Sequence, residues 1–190
     1  MTQEWTRRLA FLRAAVVLGA VACRANGTTI FESSTNLKNA APVTRLVIFE
    51  NVQSSFAGDL YRGFVGALKS GLADCGVTAS IEQIGALDLD VDQRIASTID
   101  TFHASSAMLV LANGGNQTFN RSNGVETYQL RFTLKLLDVV SNHVTWMAET
   151  KLSMLTSWVT DDVGTGARFA TSIVSRLRDD GMLAGCPSVQ

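Results

Sequence analysis

The chain has 190 residues, of which 46% are hydrophobic and 17% charged, as expected for one globular domain. Its 16 basic and 17 acidic residues nearly cancel. This balance excludes a general nucleic-acid-binding protein, because such a protein needs an excess of cations to neutralise phosphates. Only two Pro accompany 15 Gly, which excludes collagen-like and Pro-rich disordered chains.

Residues 1–22 are predicted to form a signal peptide. Arg7, Arg8 and Arg13 make a basic amino-terminal region, and Ala14–Ala22 is an uncharged apolar run. At about 1.5 Å of helical rise per residue, a run this short cannot cross a hydrocarbon core of about 30 Å. The segment is therefore typical of a signal peptide and not of a membrane-spanning helix.

Cys23 directly follows a small-x-small cleavage pattern, Ala20-Val21-Ala22. The arrangement resembles a bacterial lipobox, although a lipobox usually has Leu where this chain has Ala20. The sequence predicts that Cys23 is acylated and anchors the chain in outer-membrane lipid, with the domain in the periplasm. Ordinary cleavage after Ala22 is the alternative, and it would release a soluble periplasmic chain with the same first residue.

The two other cysteines, Cys75 and Cys186, form an even pair if Cys23 carries lipid. Each lies near the end of a predicted helix, and an exported chain matures in an oxidising compartment. A disulfide between them is one interpretation. Two buried free thiols are the other.

One domain is predicted over residues 44–186, preceded by a polar, aperiodic segment over residues 23–43 that is interpreted as a tether. Compact apolar runs predict strands, and apolar residues at every fourth position predict helices. Gly76 suits the end of the first helix, and Asp90 suits the start of the second. In chain order, the predictions are a strand at Arg45–Val52, a helix bearing Phe56–Leu72, a strand at Val77–Ile84, a helix starting at Asp90, and a strand at Ala107–Ala112.

The pattern then changes to strict alternation in Thr127–Asp138 and again in Val144–Leu152, with a turn at Ser141-Asn142. This predicts a long carboxy-terminal β-hairpin with one buried face. Thr160 suits the start of a last helix, which carries Arg176 and Arg178 in its final turn. The order β-α-β-α-β-β-β-α predicts an α/β fold, a mixed sheet with three helices.

Several of these segments resemble a set of bacterial envelope proteins. The set comprises the amino-terminal domain of TolB, the curli secretion lipoprotein CsgG and the polysaccharide-export lipoprotein PelC. The resemblance covers about residues 44–180 and lies in topology and pattern. It implies a partner-binding or ring-forming module, not an enzyme. The segments that carry it are Cys23, the strand at Arg45–Val52, the stripe of the first helix, the hairpin around Asp138 and Trp146, and the end helix at Ile173–Leu177.

No residue cluster predicts a catalytic, cofactor or metal site. His103 and His143 lack a metal-ligand spacing. Asp88, Asp90 and Asp92 alternate like the start of a calcium loop, but the required Gly and Glu are replaced by Gln93 and Ile99. Asn113–Asn116 follows a strand without a phosphate-loop motif, and residues 112–125 are predicted to be a mobile connection between strands.

Met154, Leu155 and Trp158 follow the hairpin and are predicted to form an interaction surface. Packing of Trp158 beneath the last helix is an equally good interpretation. The favoured hypothesis is an envelope lipoprotein that binds an envelope protein or further copies of itself. The alternative is a soluble periplasmic module that binds a small ligand.

Overall fold

The structure is a computed structural model, and it describes residues 27–36, 42–56, 58–85, 88–120, 125–155 and 163–186. Cys23 and the predicted signal peptide lie outside these residues. Nine elements follow one another along the chain: β1 (Gly27–Thr35), β2 (Arg45–Glu50), α1 (Gly58–Asp74), β3 (Thr78–Gln83), α2 (Val91–Phe102), β4 (Ser106–Asn120), β5 (Val125–Asp138), β6 (His143–Leu155) and α3 (Val163–Asp179).

The strands form one mixed six-stranded sheet in the order β1-β6-β5-β4-β2-β3. Strand β2 is parallel to both β3 and β4, whereas β4, β5, β6 and β1 are successively antiparallel. The predicted α/β class, the mixed sheet, the three helices and the element order from β2 onward are confirmed.

Strand β1 corrects the prediction that residues 23–43 form a tether. Residues 27–35 of that segment pair with residues 146–154 of β6, from Gly27 opposite Met154 to Thr35 opposite Trp146. The strand is rich in Ser and Thr, and its Phe31 packs against the core cluster. An edge strand with one neighbour needs little apolar surface, so its hydrophobic alternation is weak.

The connection predicted over residues 112–125 is largely strand. Strand β4 continues to Asn120 and pairs with β5 until Asn120 lies opposite Val125. The register shifts between Ala112 and Gly115, and Gly114 there has a φ of 89°. A glycine in this left-handed region accommodates a β-bulge, so the Gly-Gly pair bends the strand without ending it.

The helices divide unequally between the two sides of the sheet. Helices α1 and α3 cover one side, where Phe56, Phe64, Phe132 and Phe169 form a buried aromatic cluster. On the other side α2 packs over β2 and the start of β4, on Val47, Phe49 and Ala107. Among the described residues, no helix therefore covers the antiparallel strands β5, β6 and β1 on the side of the sheet where α2 lies.

Helices α1 and α3 cross at two glycines. A Cβ atom at Gly63 would lie 2.0 Å from the carbonyl oxygen of Val163, and one at Gly166 would lie 1.9 Å from the carbonyl oxygen of Leu60. Such distances are far below van der Waals contact, so the two backbones approach as closely as they do only because neither residue has a side chain.

A disulfide joins the ends of these two helices. Cys75 directly follows α1, and Cys186 lies beyond α3 at a separation of 111 residues. In the chain-entropy account, a cross-link closing so long a loop stabilises the folded state by about 4–5 kcal/mol. The bond therefore reinforces the helix pair on the buried side of the sheet.

The glycine crossing predicts opposite effects of the same substitution within one helix. Gly63→Ala is expected to lower the free energy of unfolding by about 2 kcal/mol, because overpacking outweighs the gain in helix propensity. Gly66→Ala, at an exposed α1 position with nothing within 4 Å of the added Cβ, is expected to raise it by about 0.5–1 kcal/mol. Urea unfolding measures both, and equal effects would contradict the close crossing.

Candidate functional site

The helix-free side of β1, β5 and β6 carries a mixed set of charged and apolar side chains, here called the open face. Strand alternation turns every second residue toward it. Met147 and Ile30 are large hydrophobic residues with 43% and 58% of their surface exposed. The open face comprises Ile30, Glu32, Arg131, Thr133, Lys135, Met147, Glu149 and Lys151.

Like charges are neighbours across the strands of the open face. Arg131 of β5 is directly opposite Lys151 of β6, and Glu149 of β6 is directly opposite Glu32 of β1. These two pairs belong to adjacent rows, separated by about 7 Å along the strands. Like charges directly opposite each other destabilise a sheet, and the opposite charges of the neighbouring row offset part of that repulsion.

These four charges have no ion-pair partner among the residues that the structure describes. The recorded ion pairs lie elsewhere, joining Arg62 with Asp59, Arg94 with Asp88, Arg176 with Asp180, and Arg178 with Asp179. All four side chains of the two rows are exposed. The open face thus presents a cationic row beside an anionic row, both available to a binding partner.

A cleft of about 230 Å³ lies at the centre of the open face, lined in part by Ile30, Glu32, Asn113 and Arg131. The side-chain amide nitrogen of Asn113, next to the β4 bulge, donates to the hydroxyl oxygen of Thr133 at 2.5 Å. This bond positions Asn113 on one wall of the cleft. Pockets for small ligands usually enclose about 300–1,000 Å³. The cleft is therefore small for a dedicated ligand pocket and suits a side chain of a larger partner.

Strand β1 contributes Ile30 and Glu32, and a polar network on its other side holds it in place. The Ser33 hydroxyl donates to the Asp180 carboxylate at 2.6 Å, and the Trp146 indole N–H donates to the same oxygen at 2.8 Å. Arg176 donates to the Ser33 oxygen at 2.6 and 2.9 Å and lies 3.0 Å from the Asp180 carboxylate. The network joins β1, β6 and the end of α3.

The same contacts determine the charge state of Asp180. Burial raises the pKa of this carboxyl, but the hydrogen bonds from Ser33 and Trp146, with the charge and hydrogen bond of Arg176, outweigh it and lower the pKa below its ordinary value. The ionised form of Asp180 thus accepts the hydrogen bonds that link the side chains of β1, β6 and α3, in addition to the backbone pairing of β1 with β6.

A fully buried carboxylate lies at the end of β2. Glu50 is fully buried and accepts hydrogen bonds from the Val52 N–H at 2.6 Å and the Tyr61 hydroxyl at 2.7 Å. Burial, followed by the hydrogen bond and charge of Glu50, raises the pKa of Tyr61 to about 12. The Asn51 side chain accepts from the Ala112 N–H at 2.6 Å. Many α/β proteins bind ligands at the carboxyl ends of their parallel strands. At the carboxyl end of β2, Glu50 and Asn51 are engaged in these internal hydrogen bonds instead.

Of the three residues predicted to form an interaction surface, Met154 is buried. Met154 is 8% exposed and belongs to the core, because the alternation of β6 turns it to the same side as Trp146 and Leu152. Its strand is also paired with β1, so the hairpin edge is not free. The Leu155 side chain and Trp158 lie outside the described residues, as does Thr160.

The other singled-out residues have local roles. His103 ends α2 in the left-handed region with a φ of 51°, and His143 begins β6 opposite Asp138. Asp90 precedes α2 but makes no side-chain capping bond, and Asp88 pairs with Arg94. Among the described residues, no group of three His, Cys, Asp or Glu side chains is placed to hold a metal ion.

No family model and no curated protein matches this sequence. Several solved structures are similar to this chain at low identity. PelC from Paraburkholderia phytofirmans, solved as a dodecamer, is 12% identical with a TM-score of 0.47, over 83% of this chain and 99% of that one. A lipoprotein from Neisseria meningitidis is 8% identical with a TM-score of 0.42, over 73% and 99% of the two chains.

TolB from Acinetobacter baumannii is 13% identical with a TM-score of 0.34, over 78% of this chain and 31% of that one. PelC and TolB also belong to the set that the sequence resembles. At these identities and scores, the likeness is no evidence of a shared activity or assembly. In the part of the chain that the structure describes, no helix is both long and apolar enough to cross a membrane.

The Asp180 network predicts a pH-dependent contribution to stability. Because its pKa is lowered in the folded chain, the carboxylate stabilises the fold above the ordinary Asp pKa of about 3.9, and this contribution is lost as pH falls through the folded-state pKa. Asp180→Asn is expected to lower the free energy of unfolding by about 1–2 kcal/mol at neutral pH, after allowance for partial exposure.

The matched control is Asp179→Asn, whose more exposed carboxylate pairs with the adjacent Arg178. Urea unfolding at neutral and acidic pH, with amide hydrogen exchange over residues 27–35, measures the effects. Asp180→Asn should speed exchange in β1, and Asp179→Asn should not. An equal loss for Asp180→Asn at neutral pH and well below the folded-state pKa would contradict the role of the ionised carboxylate.

Proposed function

We propose that this chain is an envelope lipoprotein domain that binds another protein, or further copies of itself, through the open face. The observation that carries the proposal is the paired rows of like charge on a helix-free side of the sheet, with Arg131 beside Lys151 and Glu149 beside Glu32. A partner that places anions over the first row and cations over the second would remove both repulsions at once.

The proposed location is the periplasmic side of the outer membrane, with Cys23 acylated. Its support comes from the basic and apolar segments before Cys23 and from the small residues at the cleavage site. The Cys75–Cys186 disulfide is compatible with an oxidising compartment.

Binding is proposed in preference to catalysis and to small-ligand transport. The buried Glu50 and the partly buried Asp180 are both engaged in contacts that hold strands and helices together. The open face has exposed Ile30 and Met147 between its charges, a combination common at protein interfaces. Its central cleft is smaller than a usual ligand pocket.

Site-specific photo-crosslinking in intact cells tests the proposal. A crosslinking amino acid at Lys151 on the open face should yield a discrete adduct, whereas one at Lys69, an exposed lysine of α1 on the other side of the sheet, should not. Arg131→Glu should reduce the Lys151 adduct several-fold, because it places an anion in the cationic row. Arg62→Glu, on the exposed surface of α1, serves as the charge-matched control.

The size of the adduct identifies the partner class. An adduct of two chains indicates self-association, and any other discrete size indicates a different envelope protein. Equal adducts from positions 151 and 69, or an adduct insensitive to Arg131→Glu, would contradict binding through the open face.

A further inference from the structure

The start of β1 restricts how a lipid-anchored chain can stand on a membrane. Gly27, the first residue of β1, is four residues from Cys23, and at most about 3.6 Å per residue this places the two within about 14 Å. Strand β1 itself has nine residues and spans about 30 Å. Only the end of the sheet at which β1 begins is therefore within reach of an acylated Cys23.

The β4–β5 ladder is the part of the described sheet that projects beyond Gly27 at this end. Gly27 is opposite Met154, and Met154 is opposite Tyr128 of β5. Beyond this row the β4–β5 ladder continues for about 10 Å, to Asn120 opposite Val125. The β5–β6 turn with Val140 lies at the opposite end of β5.

The projecting ladder carries an exposed aromatic side chain. Phe119 has 61% of its surface exposed. Its direct cross-strand neighbour is Glu126 of β5, whose carboxylate accepts a hydrogen bond from the Gln117 side chain. A single exposed apolar residue is ordinary on a protein surface, but this one lies at the end that the anchor brings to the bilayer. Phe side chains are favoured at the boundary between headgroups and acyl chains.

We propose that the β4–β5 end of the sheet contacts the bilayer and that Phe119 lies among the lipid headgroups. The inference rests on the proposed acylation of Cys23. The strands then run away from the membrane, and the open face is turned sideways, toward proteins in the periplasm. A lipid bilayer is the partner of this surface, because the proposed lipid anchor at Cys23 lies within about 14 Å of Gly27.

Depth-dependent fluorescence quenching tests the inference on the mature acylated chain. The chain has three Cys, and with Cys23 acylated and Cys75 bonded to Cys186, an introduced Cys is the one free thiol. Thr118→Cys and Val140→Cys are each labelled with an environment-sensitive fluorophore. Both proteins are reconstituted in vesicles of phosphatidylethanolamine and phosphatidylglycerol that contain nitroxide-labelled lipid.

The label at position 118 should be quenched several-fold more than the label at position 140, whose native Val is 92% exposed. Adding Phe119→Ser should reduce the quenching at position 118 at least twofold. Leu89→Ser, at a 96% exposed apolar position in the β3–α2 connection, should leave it unchanged.

The mass of the purified chain distinguishes failure of the lipid anchor at Cys23 from failure of the bilayer contact. An unmodified Cys23 overturns the proposed lipid anchor and this inference with it. An acylated chain whose label at position 118 is quenched no more than the label at position 140 overturns this inference alone. Quenching at position 118 that is insensitive to Phe119→Ser overturns the role given to Phe119.

Discussion

The close crossing of α1 and α3 at Gly63 and Gly166 is the constraint on which the rest of this structure depends. Because the two backbones lie nearly in contact, both helices fit on one side of the sheet. There Phe64 and Phe169 stack with centroids 5.7 Å apart, and Phe132 of the sheet lies 4.8 Å from Phe169. The Cys75–Cys186 bond joins the ends of the pair. One helix, α2, is left for the other side, and it covers the parallel strands.

This unequal division separates a structural half of the sheet from a binding half. The central parallel strand β2 is buried on both sides from Leu46 to Glu50, as parallel strands usually are. The antiparallel strands β5, β6 and β1 are buried on one side, and their other side carries the charged rows. Strand β1 links the two roles, since Ser33 takes part in the Asp180 network while Glu32 faces the open side.

Much of the fold could be predicted from periodicity. Apolar runs and stripes identified β2, the two helices after it and the long hairpin, because each buries many side chains in a regular pattern. Strand β1 was missed because an edge strand rich in Ser and Thr shows no such pattern. Residues 112–125 were predicted to be a loop because of their Asn and Gly content, yet Gly114 supports a bulge within a continuous strand. Asp90 does lie directly before the first residue of α2, but without the expected side-chain cap.

The candidate site was only partly accessible to sequence reasoning. Alternation in the hairpin separates Arg131 and Lys151 from the buried set, but their direct opposition depends on register, and the bulge near Leu136 shifts that register within the hairpin. Ile30 and Glu32 come from the strand that was missed. The absence of a helix over these side chains is a property of packing, which no local pattern records. Met154 was assigned to the surface although the alternation of β6, which places it on the side of Trp146 and Leu152, turns it into the core.

Oxidative footprinting of the native envelope tests the central claim, that the open face is covered by a partner, most directly. Met147 lies on the open face and is 43% exposed, whereas Leu89 and Val140 are 96% and 92% exposed away from it. In envelope preparations, Met147 should be protected several-fold relative to the purified chain, while Leu89 and Val140 react alike in both. Equal oxidation of Met147 in the two states would contradict a binding role for the open face.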